Sequence, residues 1–304
     1  MTILVNMTQF LKLKSFVEEN IDEIIWSNMS DNLNASCLLE KNMDKINWYN
    51  LSGNPNAIHL LEQNMDKIVW NFWLSYNPNA IHLLEKNLDK IYWPALSCNP
   101  NAIHLLEKNM DKIVWSNLSQ NPNAIHLLEQ NSEKIHWYEL SKNKNAIHLL
   151  EKNMDKINWR LLSRNPNAIR LLEKNLDKID WSLLSYNQNA IHLLEQNMDK
   201  IDWYMLSYNP NAIQLLEQNM DKIDWYNLSK NPNATHLLEQ YPEKINWYEL
   251  SINTNIFTYD YEAMREQCLI FKEDLIKNRF HPRNLNKFKD WGIEEFEDWE
   301  DDAF

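Results

Sequence analysis

The tripeptide Ile-x-Trp returns along the chain with a period that few folds satisfy. Its tryptophans are Trp26, Trp48, Trp70, Trp93, Trp115, Trp137, Trp159, Trp181, Trp203, Trp225 and Trp247, spaced by 22 residues with one interval of 23 between Trp70 and Trp93. Self-similarity at such a period marks an array in which each unit packs on its neighbours. The extra residue can be placed. Trp48 reaches Leu51-Ser52 in three steps, whereas Trp70 needs four to reach Leu74-Ser75. An insertion tolerated there implies a turn or a short, forgiving helix.

The unit from Asn99 to Gln120 shows the local logic. Asn99-Pro100 reads as a helix start, with the Asn side chain capping free amides and Pro suited to the first turn. At about 100° per residue, Ala102, Ile103, Leu105 and Leu106 share one side, opposite Asn101, His104, Glu107 and Lys108. Asn109 suits a left-handed helix end. These signals predict an amphipathic helix of about ten residues, capped at both ends. Ile113, Trp115 and Leu118 are the apolar members of a second element. The residue before Trp is Asn or Asp at Asn47, Asn158, Asp180, Asp202, Asp224 and Asn246, a cap for a single turn, 3-10 rather than α.

Such a unit cannot bury its apolar stripe alone, but stacked copies can. The expected fold is therefore an all-α solenoid of about eleven repeats, each one α-helix plus one short 3-10-like helix. Trp48, Trp70, Trp93, Trp115, Trp137, Trp159, Trp181, Trp203, Trp225 and Trp247 are its expected core, with indoles sandwiched dry between layers. Only two glycines, Gly53 and Gly292, occur, which disfavours hairpin-rich folds and glycine-rich phosphate loops.

The Asn-Pro and leucine pattern of "LSYNPNAIQLLEQN" resembles the leucine-rich variant repeat, an alternation of α and 3-10 helices, and that resemblance implies a right-handed superhelix. The Trp-bearing segment departs from it. "NPNAIHLLEKN", "DKIDWSLLS" and the closing "NIFTYDYEAM…FHPRNL" are similar, over nearly the whole chain, to the 22-residue Asn-Pro-Asn-Ala repeat proteins of giant DNA viruses. This second resemblance implies a viral protein in an intracellular setting, host cytoplasm or virion. It supplies no catalytic residues.

Four regions are expected: an amino-terminal cap (1–30), the repeats (31–255), a carboxy-terminal helical cap (256–290) and an acidic-aromatic tail (291–304). Atypical ends suit a solenoid that must shield its last layers. The inner residues of the carboxy-terminal cap are expected to be Tyr259, Tyr261, Met264, Leu269, Ile270 and Leu275, and the tail carries Trp291, Phe296, Trp299 and Phe304.

A net charge of −13 argues against a partner held through phosphates, because each Lys has an acid nearby. Cys37, Cys98 and Cys268 share no disulfide or metal spacing and read as thiols in a reducing compartment. No signal peptide or membrane-spanning stretch is evident. His59, His82, His104, His126, His148, His192 and His236 share one repeat position, interrupted by Arg170 and Gln214. They read as a solvated stripe in which His59 can reach Glu62. Recurrent Asn64, Asn87, Asn109 and Asn131 read as caps or an amide ladder.

No nucleophile elbow, phosphate loop or metal spacing appears, and every carboxylate recurs with the repeat, so no catalytic group, cofactor or metal is expected. What varies within the fixed frame are the residues after each Trp and after each Leu-Ser. Tyr49, Tyr138, Tyr204, Tyr226 and Tyr248 form the first class; Tyr76, Arg164, Tyr186, Tyr208 and Lys230 form the second. They are expected to line one edge and to bind a protein partner, host or viral. The expected function is a non-enzymatic scaffold or adaptor. The alternatives are a helical-repeat binder of single-stranded RNA and a structural virion component.

Overall fold

A computed structural model of the protein describes residues 10–278, of which 10–258 form one unit and the helix Tyr261–Asn278 lies in another. Within the first unit each layer opens on a short helix, and in most layers the residue before the tryptophan caps it. Asp180 accepts from Leu183 N at 2.9 Å and Asn158 from Leu161 N at 2.9 Å, and Asn47, Asp202, Asp224 and Asn246 cap in the same way. The resulting helices, such as Trp181–Ser185, are α and not 3-10. Their last turn is closed by Ser185 Oγ donating to Trp181 O at 2.8 Å.

After each Trp helix the Asn-Pro motif makes a turn of its own instead of starting the next helix. Asn209 Oδ1 accepts from Asn211 N at 3.0 Å, leaving a five-residue Leu helix, Ile213–Glu217, where about ten residues are expected. A 3-10 turn, Met220–Lys222, then closes the layer. The Asn between them is not left-handed: Asn109 has φ −135° and ψ 51°. Its amide instead donates to Leu105 O at 2.8 Å, which satisfies a terminal carbonyl without positive φ. Where the extra residue falls, Trp70 and Asn71 form a turn and the helix begins at Phe72.

The core is built from Leu and Ala. Leu162, Ala168 and Leu172 are fully buried, as are their counterparts in neighbouring layers. The tryptophans are half-buried and packed against this core, a correction to the dry sandwich. Their indoles reach the surface, where the Lys that closes the layer lies over the ring. Lys178 Nζ is 4.6 Å from the Trp159 ring centre and Lys200 Nζ 4.4 Å from that of Trp181.

Layers are tied by buried polar groups. Asn143 Nδ2 donates to Ser119 O (3.0 Å) and Asn121 O (2.9 Å) of the preceding layer, while its Oδ1 accepts from Asn145 N (3.0 Å). Asn99, Asn121, Asn165, Asn187, Asn209, Asn231 and Asn253 repeat this at no more than 2 % exposure. Ser119 Oγ accepts from His136 N of the next layer at 3.0 Å. No buried side-chain nitrogen or oxygen among the described residues lacks a partner.

The same bonds join the last layer to the first. Asn32 Nδ2 donates to Ser251 O (3.0 Å) and Asn253 O (2.9 Å), and Ile25 N donates to Ser251 Oγ at 3.0 Å. Asn34 Nδ2 meets Thr254 O at 2.9 Å, as Asn101 Nδ2 meets Pro78 O elsewhere. Identical register at this seam means that the unit closes on itself as a ring of eleven Trp helices.

The eleventh layer is assembled from both ends of the unit. The Trp helix Trp247–Leu250 and the turn Thr254–Ile256 come from one end. The helix Ser15–Glu18 and the 3-10 turn Ile21–Glu23 come from the other and stand where a Leu helix and its closing turn belong. Lys14 N donates to Ile256 O at 2.8 Å where other layers have continuous chain. A strand pair, β1 (Leu11–Leu13) with β2 (Phe257–Tyr259), clamps the junction. Val17 and Ile256 are fully buried there. The amino-terminal segment expected as a cap over an exposed end therefore completes a layer, and neither end of the array is bare.

The helix Tyr261–Asn278 does not hide the side chains expected to face inward. Tyr261 is 71 % and Leu269 50 % exposed, Tyr259 is exposed and Met264 half-buried. The side chains of Ile270 and Leu275, and the whole tail with Trp291, Phe296, Trp299 and Phe304, lie outside the described residues.

Two outcomes follow from this packing. Asn143→Ala, which strands the Ser119 carbonyl and the Asn145 N–H and leaves Asn121 O with only Ala124 N as donor, should lower unfolding free energy by roughly 1–3 kcal/mol in a urea titration. Val17→Asp should open the seam, raising the radius of gyration in small-angle scattering while far-ultraviolet dichroism keeps its helical signal; an unchanged radius in a folded variant contradicts the ring.

Candidate interaction surface

In a closed ring the gap between layers widens with distance from the axis, so the groups that bridge layers report their radial position. Beside the Asn ladder one short amide spans the gap, and successive Trp helices such as Trp93–Cys98 and Trp115–Gln120 pack directly on each other. Around the Leu helices both a His and a Glu must extend to meet. His104 Nε2 lies 2.6 Å from Glu85 and His192 Nε2 2.9 Å from Glu173, each Glu in the preceding layer. The Trp helices and Asn turns therefore face the axis and the His–Glu pairs form the rim. Eleven axes at roughly 9 Å spacing lie on a circle of about 16 Å radius.

The histidine pairing corrects one expectation. His59 bonds Glu40 at 2.6 Å, and Glu62 is taken by His82 at 2.8 Å. Glu three residues on the same helix points across to the next layer. Each described His of the series has its own carboxylate and all are well exposed, so the ladder contributes about 0–1 kcal/mol per pair. No three His, Cys, Asp or Glu side chains among the described residues converge to hold a metal. None of the three cysteines is in a disulfide; burial raises the Cys98 thiol pKa, and its Sγ lies 3.4 Å from Asn117 O.

The two variable positions lie four residues apart on the Trp helix and so share its axial face. Tyr49, Tyr138, Tyr204, Tyr226 and Tyr248 are all exposed, as are Tyr76 and Arg164, while Tyr186, Tyr208 and Lys230 are half-buried. Four of them form one continuous stack across layers. The Arg164 guanidinium lies 4.2 Å from the Tyr186 ring centre, Tyr186 and Tyr208 stack at 5.0 Å and 20°, and Lys230 Nζ is 5.3 Å from the Tyr208 ring. A cleft of about 390 Å³ opens beside it, walled by Leu161, Pro166, Tyr186 and Gln188, with Lys142 and Arg164 as its cations.

Tyr204, Tyr226 and Tyr248 form a second row, one per layer. A hydrogen bond to Glu249, reinforced by its charge, pushes Tyr226 up to about 12. Glu249 is buried and faces Lys230 Nζ at 3.8 Å, which links the two rows. Across the seam Lys230 also acts on Asp31. Asp31 is exposed, yet enough protein surrounds it for desolvation to raise its carboxyl pKa, and Lys230 opposes the shift.

Sequence reasoning missed a third group, at the insertion. Phe72 meets Trp73 edge-on at 5.2 Å, stacks on Tyr76 at 5.9 Å and lies 6.2 Å from Tyr92 of the next layer. All four are exposed. Gly53 of the preceding layer packs beside this cluster, where an added Cβ would come within 3.4 Å of Trp73 Cβ, the edge of ordinary contact. The displaced Leu74-Ser75 was the available signal: a one-residue shift turns Phe72 and Trp73 onto the two positions that follow Trp in other layers, where Tyr is the only aromatic residue elsewhere. Tyr49 and Tyr138 stand apart from these groups, Tyr138 beside His136 and Lys142.

No family profile, curated protein or solved structure matches this chain. No described helix is long and apolar enough to cross a membrane.

Glu249→Gln removes the carboxylate charge that supplies the two largest causes of the Tyr226 shift, while desolvation, Tyr248 and Tyr204 remain, so one tyrosine should move part of the way from about 12 toward the ordinary value of 10.0 in an ultraviolet pH titration. A titration curve unchanged by the substitution contradicts the contact.

Proposed function

We propose that this chain is a non-enzymatic scaffold that holds a protein partner against the axial face of its ring. The observation that carries the reading is the concentration of exposed aromatic and basic side chains there, on positions the repeat frame leaves free to vary. Tyr and Trp supply large contact area at low entropic cost, and with Arg they dominate binding energy at protein interfaces. The Leu, Ala, Asn and Ser positions that build the ring repeat almost without change, which is the division of labour expected of an adaptor.

Single-stranded RNA is the weaker reading. A base needs an open aromatic face, and in the main stack Arg164, the two tyrosines and Lys230 already cover one another's faces. The net charge of −13 adds to this. The similarity to Asn-Pro-Asn-Ala repeat proteins supports a viral origin, with action in host cytoplasm or in the particle as a structural component.

Replacing Tyr186, Tyr204, Tyr208 and Tyr226 together with Ser should abolish capture of a partner that the native ring retains, with the helical signal unchanged. Retention of that partner by the folded variant refutes the axial face as the binding surface.

A further inference from the structure

Arg164 differs from the other cations on the axial face. Lys142 is engaged by Glu139 at 2.7 Å, Lys230 faces Glu249 at 3.8 Å and Arg160 faces Asp180 at 3.5 Å. The guanidinium of Arg164 instead rests on the Tyr186 ring at 4.2 Å, and no carboxylate among the described residues pairs with it. This contact over the ring face restrains the group without using its N–H donors. A guanidinium so restrained presents a fork that matches a carboxylate bidentately. The cleft of about 390 Å³ beside it contains no acidic lining residue, although the chain as a whole carries a net charge of −13. Its walls from Leu161, Pro166 and Tyr186 are apolar and Gln188 adds an amide, while the Asn187 amide is committed to the ladder between layers.

Resting on the scaffold reading above, we propose that this cleft is the anchoring subsite for an acidic peptide, in which Arg164 takes a Glu or Asp side-chain carboxylate while Leu161, Pro166 and Tyr186 seat an adjacent apolar side chain. Arg164 sets the specificity and Tyr186 positions it. Lys142 is the secondary cation, because Glu139 already takes one of its three N–H donors and offsets its charge. A nucleic-acid phosphate would satisfy the fork but would leave the apolar wall of Leu161, Pro166 and Tyr186 uncovered. The acidic peptide answers both features.

The test is fluorescence anisotropy with the intact protein and a fluorescein-labelled hexapeptide, Ala-Leu-Glu-Glu-Leu-Ala, blocked by amidation at its carboxyl end. Binding is expected below about 1 mM. The Gln-Gln analogue should bind at least roughly tenfold more weakly, and Arg164→Gln should erase the difference between the two peptides. Arg164→Lys, which keeps charge without the fork, should recover only part of it. Arg164 is exposed, so these variants should melt like the parent, which a thermal scan verifies. Equal binding of the two peptides, an unaltered preference in Arg164→Gln, or stronger binding of a Gln-Gln peptide with a free carboxyl terminus overturns the assignment. So does preferential binding of a labelled oligothymidylate. Loss of the peptide preference alone leaves the scaffold reading standing, because that reading falls only if the four-tyrosine variant still captures its partner.

Discussion

Asn165, at 2 % exposure, donates to Ser141 O and Asn143 O of the layer before it and accepts from its own Asn167 N. Removing that amide strands the buried Ser141 carbonyl and takes from Asn143 O one of its two donors, the other being Ala146 N. Leucine burial supplies most of the driving force, but it is non-directional and tolerates sliding between nearly identical surfaces. The amide ladder does not tolerate it, because a displaced layer breaks two bonds per Asn in a low-dielectric interior. Register, curvature and closure thus rest on one side chain per layer. The Ser after each Leu reinforces the ladder by reaching forward to the next Trp helix, as Ser141 Oγ does to Asn158 N at 3.0 Å.

Closure sorts the surface into two circles with different capacities. The rim is largely self-paired, since its His and Glu side chains satisfy one another from layer to layer except where Arg170 and Gln214 interrupt the series. The axial circle is crowded, and there neighbouring layers bring aromatic and cationic groups into van der Waals contact. A repeat that presented the same residue eleven times would offer a uniform wall. Variation after Trp and after Leu-Ser breaks it into local groups, and the single insertion adds the Phe72, Trp73, Tyr76 and Tyr92 cluster. Function is read from this broken symmetry.

Much of this was legible before any coordinates. Periodicity defined the solenoid, and Asn or Asp before Trp marked helix starts correctly, because capping is a local hydrogen bond that needs only the adjacent residue. Burial was harder to read. Trp159 is large and apolar, yet its indole lies at the edge of the core under Lys178, a contact set by a residue 19 positions later. Helix length was misread for a similar reason: Asn209 and Asn231 bond backwards to another layer as well as forwards, so the Asn-Pro turn is tertiary structure in disguise. The seam left a trace in "ENIDEIIW", which keeps the frame of "KNMDKIVW" but lacks the preceding Asn-Pro-Asn-Ala. That missing half is supplied more than two hundred residues away, by Asn253 and Ile256. Of the binding edge, composition was visible in the chain, whereas the stacking of Arg164, Tyr186, Tyr208 and Lys230 depends on inter-layer distance.

A layer shared between opposite ends makes the array a counting device. Eleven identical wedges must each turn the chain through about 33° for the circle to meet itself, whereas an open stack accepts any copy number. Gain or loss of one wedge would ask every remaining interface to bend by roughly 3°, or leave the half-layer at residues 14–24 facing water. Tandem arrays of this kind are free to lengthen and shorten; this one is held to its present census by geometry alone.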